Sequence, residues 1–548
     1  FYNKNEYKML SYDFRLAATY NREFNGTHIL NSYAGAEVNS QERSSDWSEG
    51  WGMQYDNGEL PFFDYLAFKR MRERNTNYYG VNNTVNRQIA FFATGTYSYK
   101  RRYTLTGTLR YEGSNRLGKA RSARWLPTWN VAAAWNMHEE EFFKKLQPAF
   151  SYLTLKASYS LTADAGPTWV TNSRVVINSY NPWRPSAGVA ESGLRISDLE
   201  NSSLTYEKKH ELNIGVDMGF LDNRINLAAD WYKRNNFDLI GWTSTQGAGG
   251  QVNRMGNVAS MKSHGFEFTL STKNIKNKKF EWSTDLIFGL SKTEVTELNT
   301  RSFMFSLISG NGFTREGYPH RGLFSIPFVG LDEQGFPMFE VSDKNNGKVL
   351  VDKNNYGALN FQEMEHLDFL KYEGPTDPTI TGSFGNIFSL KNWKLNVFVT
   401  YSAGNKVRLD PVFRSTYNDL DATPKDFKNR WRVPGDEKRT NVPVISARRH
   451  HQLYSNLNLG YNAYNYSTAR VADGGFIRMK EISLTYSLPG SLLEGKLLKS
   501  ASIKVQATNL FLIYSDRKLN GQDPEFFRSG GVSAPVPKQF TCTLRLGF

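Results

Sequence analysis

A single cysteine, Cys542, stands in 548 residues, so no internal disulfide framework holds this chain together. No run of about 18 apolar residues occurs either, which excludes a membrane-spanning helix. Charge of one sign is massed nowhere. The 67 Lys and Arg outnumber the 53 Asp and Glu, for a net charge of +14, but they are scattered among the acids rather than drawn into one stripe. That dispersion argues against nucleic acid as a partner. It suits loop and lumen surface, with an acidic ligand or lipopolysaccharide nearby. Catalytic signatures are missing too: there is no nucleophile elbow, HExxH, paired CxxC or dinucleotide fingerprint. No enzyme activity, catalytic residue, metal site or cofactor is therefore assigned.

What the chain does have is aromatic residues, 37 Phe, 29 Tyr and 12 Trp, in a sequence that is only 39% hydrophobic with mean hydropathy −0.54. That combination suits a membrane barrel, where alternate residues meet lipid and Tyr and Trp gather at the interfaces. Period-two alternation recurs along the chain. Ile225, Leu227, Ala229 and Trp231 alternate with Asn226, Ala228, Asp230 and Tyr232; Tyr103, Leu105, Gly107 and Leu109 alternate with Thr104, Thr106, Thr108 and Arg110. The runs are longer than the five or six residues usual in soluble strands and match the roughly 9–11 that a tilted strand needs to cross a bilayer.

The pattern predicts strands near 8–20, 25–35, 86–99, 101–112, 123–136, 149–161, 205–220, 223–236, 258–273, 279–298, 379–390, 393–405, 475–487, 499–511 and 538–548. Short connections, such as Leu221–Asn223 and Lys391–Asn392, alternate with long ones at 36–85, 162–204, 299–378, 406–474 and 512–537. Outer-membrane barrels have this asymmetry, with short periplasmic turns and long outer loops. The fold class expected is all-β: a large antiparallel transmembrane β-barrel. About fifteen strands is an odd number, whereas single-chain bacterial barrels are even. The chain opens at Phe1 with neither an initiating Met nor a signal peptide. Residues 1–548 are accordingly expected to be the C-terminal portion of a barrel whose first strands lie upstream.

The remaining features have plainer readings. His138–Leu146 begins acidic and ends basic, as a short helix on the turn side would. Gly113–Lys119 has phosphate-loop spacing, but Ala120 replaces the Ser or Thr that would hold magnesium, and no helix is expected to follow. Arg448–His451 reads as solvated loop surface, and Asp343, Asn345 and Gly347 lack the later ligands of a calcium loop. The long loops carry aromatics, of which Trp169, Tyr180, Trp183 and Trp242 are the candidate substrate contacts. Ring faces beside Asn, Gln and Arg suit sugars or peptides, although packing within the loops would use the same residues. The final strand ends in Phe548, with Phe540, Cys542, Leu544 and Leu546 on one face, similar to the C-terminal signal of outer-membrane barrels.

Several segments in order resemble the SusC-type TonB-dependent transporters. They are Arg102–Lys119, Leu153–Ala163, Lys262–Leu270, Glu316–Phe336 with its GYP…GLD…G stretch, Asn429–Pro443, Ala472–Pro489 and Ala507–Glu525. The resemblance implies a plugged barrel of roughly 22 strands, with plug and TonB box ahead of Phe1. It implies import of oligosaccharides or peptides across the outer membrane, with TonB drawing on the proton gradient and a SusD-like surface lipoprotein closing over the loops. The alternative is a barrel with a structural or adhesive role in a surface complex.

Overall fold

The computed structural model describes residues 2–51, 64–74, 76–147, 149–166, 175–180, 193–245, 253–300, 302–342, 347–360, 367–413, 423–494, 497–529 and 537–548. Fifteen strands hydrogen-bond in chain order into one sheet. They are β1 (Tyr2–Phe24), β2 (His28–Gly50), β3 (Tyr79–Tyr99), β4 (Tyr103–Ser114), β5 (Trp125–Asn136), β6 (Phe150–Asp164), β7 (Glu207–Phe220), β8 (Ile225–Ser244), β9 (Asn253–Lys276), β10 (Phe280–Leu298), β11 (Ile380–Leu390), β12 (Trp393–Ala403), β13 (Phe476–Ser487), β14 (Ser500–Ser515) and β15 (Gln539–Gly547). Each falls where the alternation predicts a strand. The chain divides into two compact units. One holds Phe1–Glu139, Lys156–Asn213 and Arg234–Ser260; the other holds Glu140–Leu155, Ile214–Lys233 and Met261–Phe548.

The two faces of this wall differ in the sense opposite to that of a soluble protein. In the second unit, register places Leu286, Phe384 and Val399 side by side, and likewise Leu484, Val505 and Cys542. Between them stand Asn396 with Ser483, and Gln506 with Thr541, on the other face. The apolar face is the exposed one: Val505 is 54% and Leu544 64% accessible. In water this would be an apolar patch far beyond what a soluble protein leaves uncovered. Lipid is the solvent that suits it.

The polar face satisfies itself. In the first unit Thr94–Thr108, Thr96–Thr106 and Ser98–Thr104 pair hydroxyls across β3 and β4 at 3.3, 3.1 and 3.2 Å. Beside them runs a ladder of charge. Arg15 reaches Glu37 at 2.8 Å, Glu37 meets Arg110 at 2.5 Å, and Arg110 meets Glu112 at 2.6 Å. Aromatics collect on the lipid side, where Trp129, Tyr159, His210 and Phe237 follow one another at ring separations of 5.5–5.6 Å.

Three expectations about boundaries change. Strands β1, β2 and β3 run 23, 23 and 21 residues, so much of the loop expected at 36–85 is strand. The added segment is rich in Ser, Asn, Gln and charge, which a hairpin standing clear of lipid tolerates. His138–Leu146 is not an α-helix but two single 3₁₀ turns, Met137–Glu139 and Phe143–Lys145. Nine residues are too few to repay helix nucleation unaided, and burial of Phe143 beside Phe150 sets the turn instead. One helical turn, Arg121–Arg124, does follow the glycine-spaced stretch, yet Lys119 there is paired with Glu200 at 3.2 Å.

In the second unit the long connections are not extended loops. The described residues of 299–379 and 404–475 fold together into a cap with its own core. It contains a three-stranded sheet (Phe328–Leu331, Pro337–Ser342, Lys348–Val351) and two-stranded pairs (Gly322–Ser325 with Lys371–Pro375, Lys406–Arg408 with Val471–Asp473). Phe324, Phe339, Tyr356, Tyr461 and Tyr464 are all buried there. Fully burying an aromatic of this size contributes about 1.5–3 kcal/mol. The helix Leu457–Asn465 sets Leu457, Tyr461 and Tyr464 on one stripe at i, i+4 and i+7. Gly460 between them leaves the space that the Tyr356 ring fills; a Cβ there would overlap it.

Candidate functional site

The residues that bind the cap together are buried cations and turn-forming acids. Arg408 is the central one. Flanked in sequence by Val407 and Leu409, it lies buried and donates to the carbonyls of Ser467 (2.8 Å), Ile308 (3.1 Å) and Phe324 (2.6 Å), so one guanidinium joins three segments distant in sequence. Burial pushes the group down to about 9, with Glu373 acting against that, so it stays charged at neutral pH. Arg470 is buried likewise and bonds Asp426 at 2.8 Å and the Asp410 carbonyl at 2.6 Å. At the top of β13, Arg478 meets both oxygens of Asp523 at 2.6 Å and Glu525 at 3.1 Å, which anchors the turn after β14.

The turns that carry the family-like stretches come together in the same cap. Gly317 donates to the Val295 carbonyl at 2.9 Å and Val295 donates back to Tyr318, so the GYP segment docks on the end of β10. Asp332 closes the GLDEQG turn by accepting from Gln334 and Phe336, each at 2.9 Å, and binds Lys353 at 2.7 Å. Gly335 in that turn has φ +82 and faces the indole of Trp431 where a side chain would be. Trp431 in turn donates to Glu437 at 3.1 Å. Two stretches about a hundred residues apart in sequence are therefore one packed unit. The neighbouring Asp436 carboxyl is held below its ordinary value by amide donors from Val433 and Arg432.

Below the cap, part-way along β8, β9 and β10, opens a cavity of about 850 Å³. Lys233, Lys262, His264 and Lys292 line the strand side, while Arg321 and Tyr372 come from the cap. Its acids are Glu294 and Asp377, the latter 3.4 Å from Arg321. Burial, then Tyr318, pushes the Tyr372 hydroxyl up to about 12, which leaves it a neutral hydrogen-bonding group. Nothing in this lining pairs a nucleophile with a base. The arrangement suits binding by charge and ring faces.

The aromatic candidates are not brought together by the described structure. Trp242 stands exposed on β8. Tyr180 ends a short strand, Val176–Tyr180, paired with Gly193–Asp198. Trp169 and Trp183 lie outside the described residues, as do Asp343 and Asn345 of the calcium-like stretch. Arg448–His451 is not extended but opens a short helix, Arg448–Leu453, on the cap's surface. Reading the sequence missed Arg408, Arg470 and Arg478, whose only local signal is a basic residue inside an apolar or strand segment.

Comparison with known proteins decides the family. The model of "TonB dependent receptor-like, beta-barrel" matches residues 1–471. The chain belongs to that family. Its members are receptors and transporters of the outer membrane rather than a class of enzyme, and the inverted wall is placed there. Among curated relatives, TonB-dependent receptor P39 of Formosa agariphila is 25% identical over 94% of this chain and 50% of its own length. TonB-dependent receptor SusC of Bacteroides thetaiotaomicron is 25% identical over 87% of this chain and 44% of its own. The chain thus spans about half the length of the curated relatives it matches. Among solved structures, the RagAB peptide transporter covers 100% of this chain and 56% of its own at TM-score 0.77 and 22% identity, a likeness of fold. SusC-like is therefore the right description of this TonB-dependent barrel.

Proposed function

We propose that this chain supplies the wall and loop cap of a TonB-dependent importer that takes oligosaccharides or peptides across the outer membrane. The observation that carries the reading is the folded cap on an inverted wall. A purely structural barrel has no need of long connections that fold with their own core and buried Arg408. In this reading the strands described here are the C-terminal part of a wall of roughly 22, with a plug in its lumen coupled to TonB through an upstream segment. A SusD-like lipoprotein closes over the cap, as the kinship with SusC and the likeness to RagAB support. Trp169, Tyr180, Trp183 and Trp242 are proposed to offer ring faces to the cargo.

The test is uptake by cells carrying the intact transporter, offered fluorescent oligosaccharides and peptides in parallel. Accumulation should depend on one cargo class, stop when an uncoupler collapses the proton gradient, and fall when segment 162–204 is removed while the folded barrel persists. Binding at the surface with no gradient-dependent uptake of either class would favour the adhesive reading instead.

A further inference from the structure

The lipid-facing side of β8, β9 and β10 carries a charged row that transport does not use. Register fixes it. Lys273 donates to the Arg224 carbonyl at 2.7 Å, and Gly265 faces Tyr232, which aligns β8 with β9. Ser263 meets Thr293 at 3.2 Å and Ser271 meets Asp285 at 2.6 Å, which aligns β9 with β10. Stepping one residue along each strand turns to the opposite face. There Lys233, His264 and Lys292 stand side by side, all three exposed, while Tyr232 and Ser263 behind them are buried. Two residues nearer the short turns, the same face shows Trp231, Phe266 and Leu290. The apolar belt therefore ends at Trp231, Phe266 and Leu290, and the basic row begins directly above them. Because β8 rises from the short turn Leu221–Arg224, above means toward the outer leaflet's surface.

We propose that this row, with the cavity over it, binds the phosphate groups of an outer-leaflet glycolipid. Among the described residues, none of Lys233, Lys262 and Lys292 has a carboxylate within ion-pair distance. The two lysines of the row, left open at the edge of a hydrocarbon belt, fit anionic headgroups, since lysine stems lie along the apolar surface while their ammonium groups reach the interface. Asp377 is occupied by Arg321, and Glu294 belongs to the next row out, opposite Lys262. A cavity of about 850 Å³ roofed by the cap accommodates a phosphorylated sugar above the chains. A cargo crossing the lumen would meet the other face of these strands, where Tyr232, Ser263 and Thr293 stand. That placement favours a lipid over a soluble acidic ligand.

The test uses the full-length transporter in nanodiscs, titrated with bisphosphorylated lipid A and with the same lipid stripped of phosphate. Two lysines at an interface should give a preference for the phosphorylated form of roughly 30-fold. The triple variant Lys233→Gln, His264→Gln, Lys292→Gln should bring the ratio near one while keeping the folded, heat-modifiable band. Lys279→Gln, at the short-turn end, should leave it unchanged. Equal affinities in the unaltered protein, a preference surviving the triple variant, or loss of it in Lys279→Gln would overturn the assignment. So would a triple variant that loses an acidic-peptide probe while retaining the lipid.

Discussion

Leu484 on the wall and Tyr461 in the cap are both apolar, yet the first is 42% exposed and the second 0%. They belong to the same compact unit and obey opposite rules. On the wall, apolar side chains point away from the protein because lipid is there to cover them, and polar ones pair across the lumen face, as Asn396, Glu481 and Lys504 do. In the cap, water surrounds everything, so apolar residues turn inward and polar groups taken inside need partners, as the Arg408 and Arg470 guanidiniums find on carbonyls and a carboxylate. A strand pattern therefore names a solvent only together with its exposure.

The largest effect that separates the two regions is expected at Arg408. Arg408→Ala removes one donor from each of three buried carbonyls, of which that of Ser467 keeps the Arg470 amide at 3.0 Å; each carbonyl left unpaired costs about 1–3 kcal/mol. Limited proteolysis should then cut within 299–379 or 404–475 while the wall still migrates as a folded barrel. If wall and cap were lost together, the cap would not be a separable folding unit. Next comes Val505→Arg on the lipid face, which should cost about 2–4 kcal/mol if it lies near the bilayer midplane, read as reduced assembly into the outer membrane. Its neighbour Gln506→Arg, facing the lumen, should assemble normally. Equal tolerance would break the assignment of faces.

The smallest effect concerns the rim turn after β14. Asp516 accepts from the amides of Lys518 and Asp473 at 2.9 and 2.8 Å. Burial opposes its charge, but those donors and the nearby Lys518 and Lys406 hold the carboxyl below its ordinary 3.8. A carboxyl lowered in the folded state stabilises above the unfolded value and loses that contribution as pH falls through the folded one. Protection at 517–520, taken relative to the intrinsic exchange rate at each pH, should therefore be high at neutral pH and fall below about pH 4. Asp516→Asn should flatten this dependence, at a neutral-pH cost of about 0.5–1 kcal/mol.

Strand positions were legible because alternation is local. Leu105 and Thr106, or Val505 and Gln506, declare their faces by their order in the chain, and the short turns at Leu221–Asn223 and Lys391–Asn392 declare which end is which. Boundaries in the polar parts of β1–β3 were not legible, since Ser, Asn and Gln there do not report a change of solvent. The family-like stretches could be recognised but not explained. What joins GLDEQG to NRWRVPGDE becomes clear only when Trp431 is seen against Gly335.

The order of side chains along each strand was enough to set the all-β wall, its two faces and its sidedness, because a pleated strand turns every neighbour to the opposite side whatever surrounds it. The cap is another matter. Arg408 finds carbonyls 59, 84 and 100 residues away, and Lys233, His264 and Lys292 become one row only when three strands are set in register. Contacts of that range depend on how the chain returns to itself, and no local pattern encodes them.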